Sequence, residues 1–193
     1  MSIPTKKKIY TPGDLLRMPD GKSYELDNGK LVRRPMGTES SWIGGKLFRM
    51  LDGFCERNDS GWVLPSDASY QCFPDAPTRV RKPDVSVIKR GRLPGEQLPK
   101  GHCPIAPNLA VEVLSPRDLS SRTNKKILEF LQAGVSLVWI VDPGTRTVRI
   151  HRKDGSITEL HENDELTGED VLPGFRCRVR DFLPPGACAE SST

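Results

Sequence analysis

The chain has 193 residues, 36% of them hydrophobic and 28% charged, a size for one globular domain that buries about two-thirds of the surface its unfolded form would expose. No run approaches the roughly 18 apolar residues of a membrane span, and the polar, basic opening Met1 to Lys8 has no hydrophobic section behind it. Lys and Arg number 29 against 25 Asp and Glu, a net charge of +4 that is compatible with a polyanion partner without requiring one.

In chain order, Lys6-Lys7-Lys8 reads as a solvated tail. Thr11-Pro12-Gly13-Asp14 opens a short helix with a capping residue and a proline at the first helical position, and Met18-Pro19 stops it. We take residues 1–22 as an arm carrying this helix, 23–183 as the main domain and 184–193 as a disordered tail. Ser23 to Val32 has Asn28-Gly29 between two alternating runs, the signature of a hairpin with Glu25 on its first strand. From Ser40 to Asn58 the apolar residues Ile43, Leu47, Met50, Leu51 and Phe54 recur at helical spacing.

Short strands are expected at Gly61 to Leu64, Ser69 to Phe73 and Asp84 to Ile88, punctuated by prolines. Gly91 to Pro107 is rich in proline and glycine without apolar periodicity. It joins the strand carrying Asp84 to the strand carrying Glu112, and we expect a mobile flap over the active site there. Leu109 to Leu114 is an apolar strand interrupted by Glu112. A helix from Ser120 to Ala133 presents Ile127, Leu128, Phe130 and Leu131 on one face, and Leu137 to Val141 is a second apolar strand. Two apolar strands joined through a helix form a parallel crossover. A second hairpin follows over Thr147 to Leu160. Phe175 to Asp181 then reads as an edge strand with Arg176, Arg178 and Arg180 on its outer face, either a solvated edge or a nucleic-acid track.

Chemistry centres on Asp84 and Glu112. A carboxylate inside a buried strand is costly to desolvate and needs a partner, a metal ion or a lysine. If their strands are adjacent, the two acids converge, and with a carbonyl and waters they form an oxygen-rich site suited to Mg²⁺ or Mn²⁺ and not to zinc. The alternative is a pair of structural, ion-paired acids without metal. His102, His151 and His161 stand singly with no ligand spacing. Cys55, Cys72, Cys103, Cys177 and Cys188 are odd in number and scattered, as in a reducing cytoplasm.

The ordered set Arg81-Lys82-Pro83-Asp84-Val85-Ser86-Val87, Leu109 to Pro116, Lys126 eight residues before Gly134-Val135, and Val138-Trp139-Ile140-Val141-Asp142-Pro143 resembles the Uma-type putative restriction endonuclease family of the PD-(D/E)xK nuclease superfamily. The resemblance runs from about Tyr24 to Phe182. It implies an α/β fold, a restriction-endonuclease-like mixed β-sheet flanked by helices, and Mg²⁺- or Mn²⁺-dependent hydrolysis of DNA by a homodimer.

In that superfamily a lysine usually stands two residues after the second acid, where this chain has Leu114. The family alignment on Gly134 assigns the role to Lys126, while helix spacing alone leaves Lys125 and Lys126 nearly equal. The resemblance further implies Asp84, Glu112 and the Val113 carbonyl as metal ligands. Glu25 is either an accessory acid or a surface carboxylate of the hairpin. Arg81, Lys82, Lys89, Arg90 and Arg92 are the candidate phosphate contacts. Ser40 stands where the family commonly has a histidine, and a catalytically inactive nucleic-acid-binding or scaffold protein on the same fold is the rival reading.

Overall fold

Hydrophobic alternation in the middle of the chain builds one mixed sheet, and the two long helices cover its opposite faces. The computed structural model describes residues 8–34, 37–116 and 119–185. Lys6, Lys7, Cys188 and the tail from residue 186 onward lie outside them.

In order the elements are α1 (Pro12–Arg17), β1 (Tyr24–Asp27), β2 (Lys30–Arg33), α2 (Thr38–Asn58), β3 (Gly61–Pro65), β4 (Val85–Lys89), β5 (Leu109–Val113), α3 (Ser120–Gln132), β6 (Leu137–Asp142), β7 (Thr147–Arg152), β8 (Ile157–His161), β9 (Glu165–Gly168) and β10 (Leu172–Arg178). Strands β3 to β8 form a six-stranded sheet in sequential order. Only β5 and β6 run parallel, joined through α3 as a crossover; the other neighbours are antiparallel.

The alternation along β5 decides what each face carries. Leu109, Val111 and Val113 join Val85, Val87, Trp139 and Val141 under α2, which contributes Ile43, Leu47, Leu51 and Cys55. Ala110 packs on the other face with Ile127 and Phe130 of α3, Val138 and Ile140. Glu112 has the parity of Ala110 and therefore looks toward α3.

The β9–β10 hairpin closes the α2 face, with Phe175 edge-on to Phe54 at 5.5 Å between ring centroids. Its alternation is as read from sequence, Phe175, Cys177 and Val179 buried and the three arginines exposed. The strand nevertheless ends at Arg178 in a 3₁₀ turn and pairs with β9, outside the main sheet.

Helix α1 is fastened by a capping box, in which the Thr11 N–H donates to the Asp14 carboxylate at 2.8 Å and the Asp14 N–H donates to the Thr11 hydroxyl at 3.1 Å. Its Leu15 packs against Leu26 and Val80. The β1–β2 turn has Asn28 and Gly29 both at positive φ, as a two-residue hairpin of this twist requires.

Three expectations fail on physical grounds. Ser69 to Phe73 is no strand, since only Tyr70 makes bridges, to Arg81 and Cys103. Leu128 is 59% exposed because α3 turns Ile127 and Phe130, flanked by Lys126 and Glu129, toward the domain.

The third failure is the flap. β4 and β5 are antiparallel, so a loop from the end of β4 to the start of β5 lies at the end of the strands remote from Asp84 and Glu112. That loop is also pinned. The Cys103 N–H donates to the Ser69 carbonyl at 2.7 Å, His102 lies within hydrogen-bonding distance of Pro12 O and Ser69 Oγ, and Leu93, Cys103 and Ala106 are buried.

Candidate active site

Register places the acids together. Val85 pairs with Val111 across antiparallel strands, which sets Asp84, just before β4, opposite Glu112 on the same face. The Val113 N–H donates to Asp84 Oδ2 at 2.8 Å, and Arg34, following β2, donates to Asp84 Oδ1 at 3.1 Å. Arg34 has no sequence signal that links it to Asp84.

From the other side α3 delivers Lys126, whose ammonium lies 2.7 Å from Glu112 Oε1 and donates to Oε2 at 2.8 Å. The one ammonium thus spans both Glu112 oxygens, and no second donor among the described residues reaches Oε1. The same ammonium lies 2.8 Å from Glu25 Oε1 on β1. Lys125, by contrast, is half exposed and paired to Asp27. Helix phase therefore separates the two lysines that spacing left open.

Behind Lys126 sits a second cluster. Arg81 is only 5% exposed, and its guanidinium lies 2.7 Å from Glu129 of α3, 3.4 Å from Glu25 and 3.4 Å from Asp27. Arg79 adds contacts to Asp27 and Glu129 at 3.3 and 3.2 Å. Sequence reading missed Asp27, Arg79 and Glu129, although the i, i+2 pairs Glu25/Asp27 and Arg79/Arg81 carry a usable signal. Each pair shares one side of an extended segment, and Leu26 pairs with Val80.

The candidate phosphate contacts need correction. Arg81 and Lys82 are buried: Arg81 is consumed by carboxylates, and the Lys82 ammonium donates to the Gly21 carbonyl at 2.8 Å. Lys89, Arg90 and Arg92 leave the far end of β4, five residues or about 17 Å of strand from Asp84. There Lys89 donates to the Asp170 carbonyl, Arg90 to Asp59 and Arg92 to the Ala106 carbonyl.

A cleft of about 810 Å³ opens over Asp84, Glu112, Glu25 and Lys126; of the expected contacts only Arg81 reaches its lining, already spent on carboxylates, and Lys22, Arg33, Arg34, Arg122 and Lys125 are the other basic residues there. Its α2 wall is made of the small residues Ser40, Ser41, Gly44 and Gly45, followed by Phe48. Gly44 is close enough that an added Cβ would lie 3.9 Å from Asp84 Cβ.

The charges split the acids into two kinds. Burial drives Glu112 up to about 8, against the pull of Lys126 and reinforced by Asp84 and Glu25. Burial also raises Asp84 by more than Lys126, the Val113 N–H and Arg34 lower it. Glu25 feels burial too, but Lys126 and Arg81 outweigh it and hold the carboxyl below its ordinary range. Lys126 sits above the ordinary lysine range because Glu112, Glu25 and Asp84 overcome its burial. It is a permanent cation here and not a base.

Two hard carboxylates pushed upward and set opposite one another on adjacent strands fit a divalent cation. Among the described residues no three His, Cys, Asp or Glu side chains form a ready-made cage, so main-chain oxygen and water would complete any such site.

A mixed sheet flanked by helices, with two acids on adjacent strands, has the restriction-endonuclease-like architecture; here the lysine comes from the following helix and not from the second acid's own strand. Within that architecture the chain belongs to the Uma2 family, described as putative restriction endonuclease, which matches residues 12–180. The fold is similar to the crystal structure of a putative nuclease belonging to DUF820 from Anabaena variabilis ATCC 29413. The TM-score is 0.75 at 21% identity, over 89% of this chain and 96% of that one. No curated protein matches the chain.

Proposed function

We propose that this protein is a Mg²⁺- or Mn²⁺-dependent endonuclease that hydrolyses DNA phosphodiesters in the cleft over Asp84 and Glu112. The observation that carries the reading is the convergence of Asp84 and Glu112, from adjacent strands, with the half-buried Lys126, whose ammonium lies 2.7 Å from Glu112 Oε1. Asp84, Glu112 and the main-chain oxygen of Val113 would hold the ion. When bound, it supplies Lewis-acid polarisation of the phosphate and acidification of a coordinated water.

The chain's own residues do the rest. The Val113 N–H fixes the Asp84 carboxylate. Lys126, always protonated, donates a hydrogen bond to the attacking water or a phosphate oxygen and stabilises the charge that develops there. Glu25 keeps Lys126 in place, and Arg33, Arg122 and Lys22 give the cleft mouth a charge suited to a phosphate backbone.

A cut through both strands of a duplex calls for two such clefts related by a twofold axis, hence a homodimer. Sedimentation at micromolar concentration checks this, with a single monomer species as the contrary result. The free cysteines Cys55, Cys72, Cys103 and Cys177 fit a reducing cytoplasm. Among the described residues no helix is long and apolar enough to cross a membrane.

The rival reading, a non-catalytic binding or scaffold protein, draws on one observation: the Lys126 ion pairs already neutralise much of the site. Incubation with linear, circular and single-stranded DNA across a metal series separates the two. Cleavage that needs metal and disappears in Asp84→Asn supports the enzyme. Cleavage that survives both chelation and Asp84→Asn sinks the metal mechanism.

A further inference from the structure

Asp84 carries a counter-ion supplied by the chain itself. The Arg34 guanidinium is held at two points: NH1 donates to the Ser66 carbonyl at 2.8 Å and NH2 donates to Asp84 Oδ1 at 3.1 Å. The side chain is 15% exposed and lines the same cleft as Asp84 and Glu112. Asp84 Oδ2 already receives the Val113 N–H, so Arg34 sits on the other oxygen. On the opposite acid Lys126 plays the matching part at 2.7 Å.

We propose that Arg34 is a competing counter-ion. It occupies Asp84 in the metal-free protein, holds down the affinity for a divalent cation, and on displacement gives its freed nitrogen to a phosphate of the nucleic acid. This rests on the metal reading of the site given above. A doubly charged ion on Asp84 and a guanidinium on the same carboxylate repel one another within a few ångströms in a partly desolvated cleft.

Arginine suits the exchange because its fork has separate donors: NH1 stays on Ser66 at the cleft wall while NH2 changes partner, which a lysine ammonium cannot reproduce. Displacement also links the two ligands. A phosphate that draws NH2 away favours cation binding, and the cation favours phosphate binding by the same factor.

The test is calorimetry of Mn²⁺ with the full chain as wild type, Arg34→Gln and Arg34→Lys, paired with the salt dependence of oligonucleotide binding in Ca²⁺. Gln keeps a donor for Ser66 but removes the charge, so Mn²⁺ binding tightens about tenfold while the log–log salt slope for DNA falls by about one. Lys keeps the charge and stays near wild type for Mn²⁺. Mn²⁺ binding by Arg34→Gln that is no tighter than wild type overturns the proposal and leaves the nuclease reading standing, as does equal tightening in Arg34→Lys. Failure of all three proteins to bind Mn²⁺ overturns the metal reading itself, and this proposal with it.

Discussion

The domain buries two adjoining charge clusters, and they are satisfied differently. In the one built on Arg81, the carboxylates of Glu25, Asp27 and Glu129 face the cations Arg79, Arg81, Lys125 and Lys126, and Glu25 and Asp27 are held below their ordinary range despite burial. In the one built on Asp84 and Glu112, Lys126 is shared with Glu25, Arg34 reaches only Asp84, and both acids are driven upward by burial. The first cluster is closed and behaves as structure. In the second each acid meets a single cation, Arg34 at Asp84 and the shared Lys126 at Glu112, and that is where the proposed divalent ion would bind.

The sharpest way to break this contrast is to remove one acid from the open cluster. Asp84→Asn or Glu112→Gln should lower metal-dependent cleavage by about 10³-fold or more while the thermal midpoint moves little, since neither removes a closed ion pair network. Gel assays and calorimetric melting of the same preparations check both halves.

Arg81→Gln should do the opposite. It strands buried Glu25 and Glu129, and we expect a loss of about 3–5 kcal/mol in the urea unfolding free energy. A change under about 1 kcal/mol would mean that the cluster is not closed as described.

The lysines grade the contrast further. Lys126→Ala should cut the cleavage rate by about 10²-fold or more, whereas Lys125→Ala, a half-exposed partner of Asp27, should cost under about 1 kcal/mol of stability and little activity. Equal losses would place the wrong face of α3 toward Glu112.

A smaller effect is expected from pH. Burial pushes the Glu112 carboxyl up to about 8, so below that pH protons compete with an ion for the site. Apparent Mn²⁺ affinity should therefore rise with pH, by about tenfold per unit below 8 at most, and level above it. An affinity flat between pH 6 and 9 would contradict the raised carboxyl. The smallest is Gly45→Ala, whose new Cβ meets nothing within 4 Å and which should stabilise α2 by about 0.5–1 kcal/mol.

Much of this was legible because it is local. Asn28-Gly29, Thr11-Pro12, the α2 periodicity and the two apolar strands around α3 each declare themselves in a few neighbouring residues. The order of the motifs carried the family and the fold. Glu25 and Lys126 could be named, but their meeting depends on β1 approaching α3, which no local pattern states. Leu128 was misread because its neighbours Lys125, Lys126 and Glu129 look like a solvated face until Arg81 is known to be buried opposite them. The loop of residues 91–107 was misplaced because connectivity was weighed without strand direction. The basic residues around Asp84 were judged by closeness in sequence, whereas Arg81 and Lys82 are buried beside it and β4 carries Lys89, Arg90 and Arg92 to its other end.

The most direct test of the open cluster is anomalous diffraction from crystals grown with Mn²⁺, wild type beside Asp84→Asn. One anomalous peak between the Asp84 and Glu112 carboxylates in the wild type, absent from the variant, is the result expected. A peak elsewhere in the chain, or one that persists when Asp84 is replaced, would show that these two acids are not the metal site.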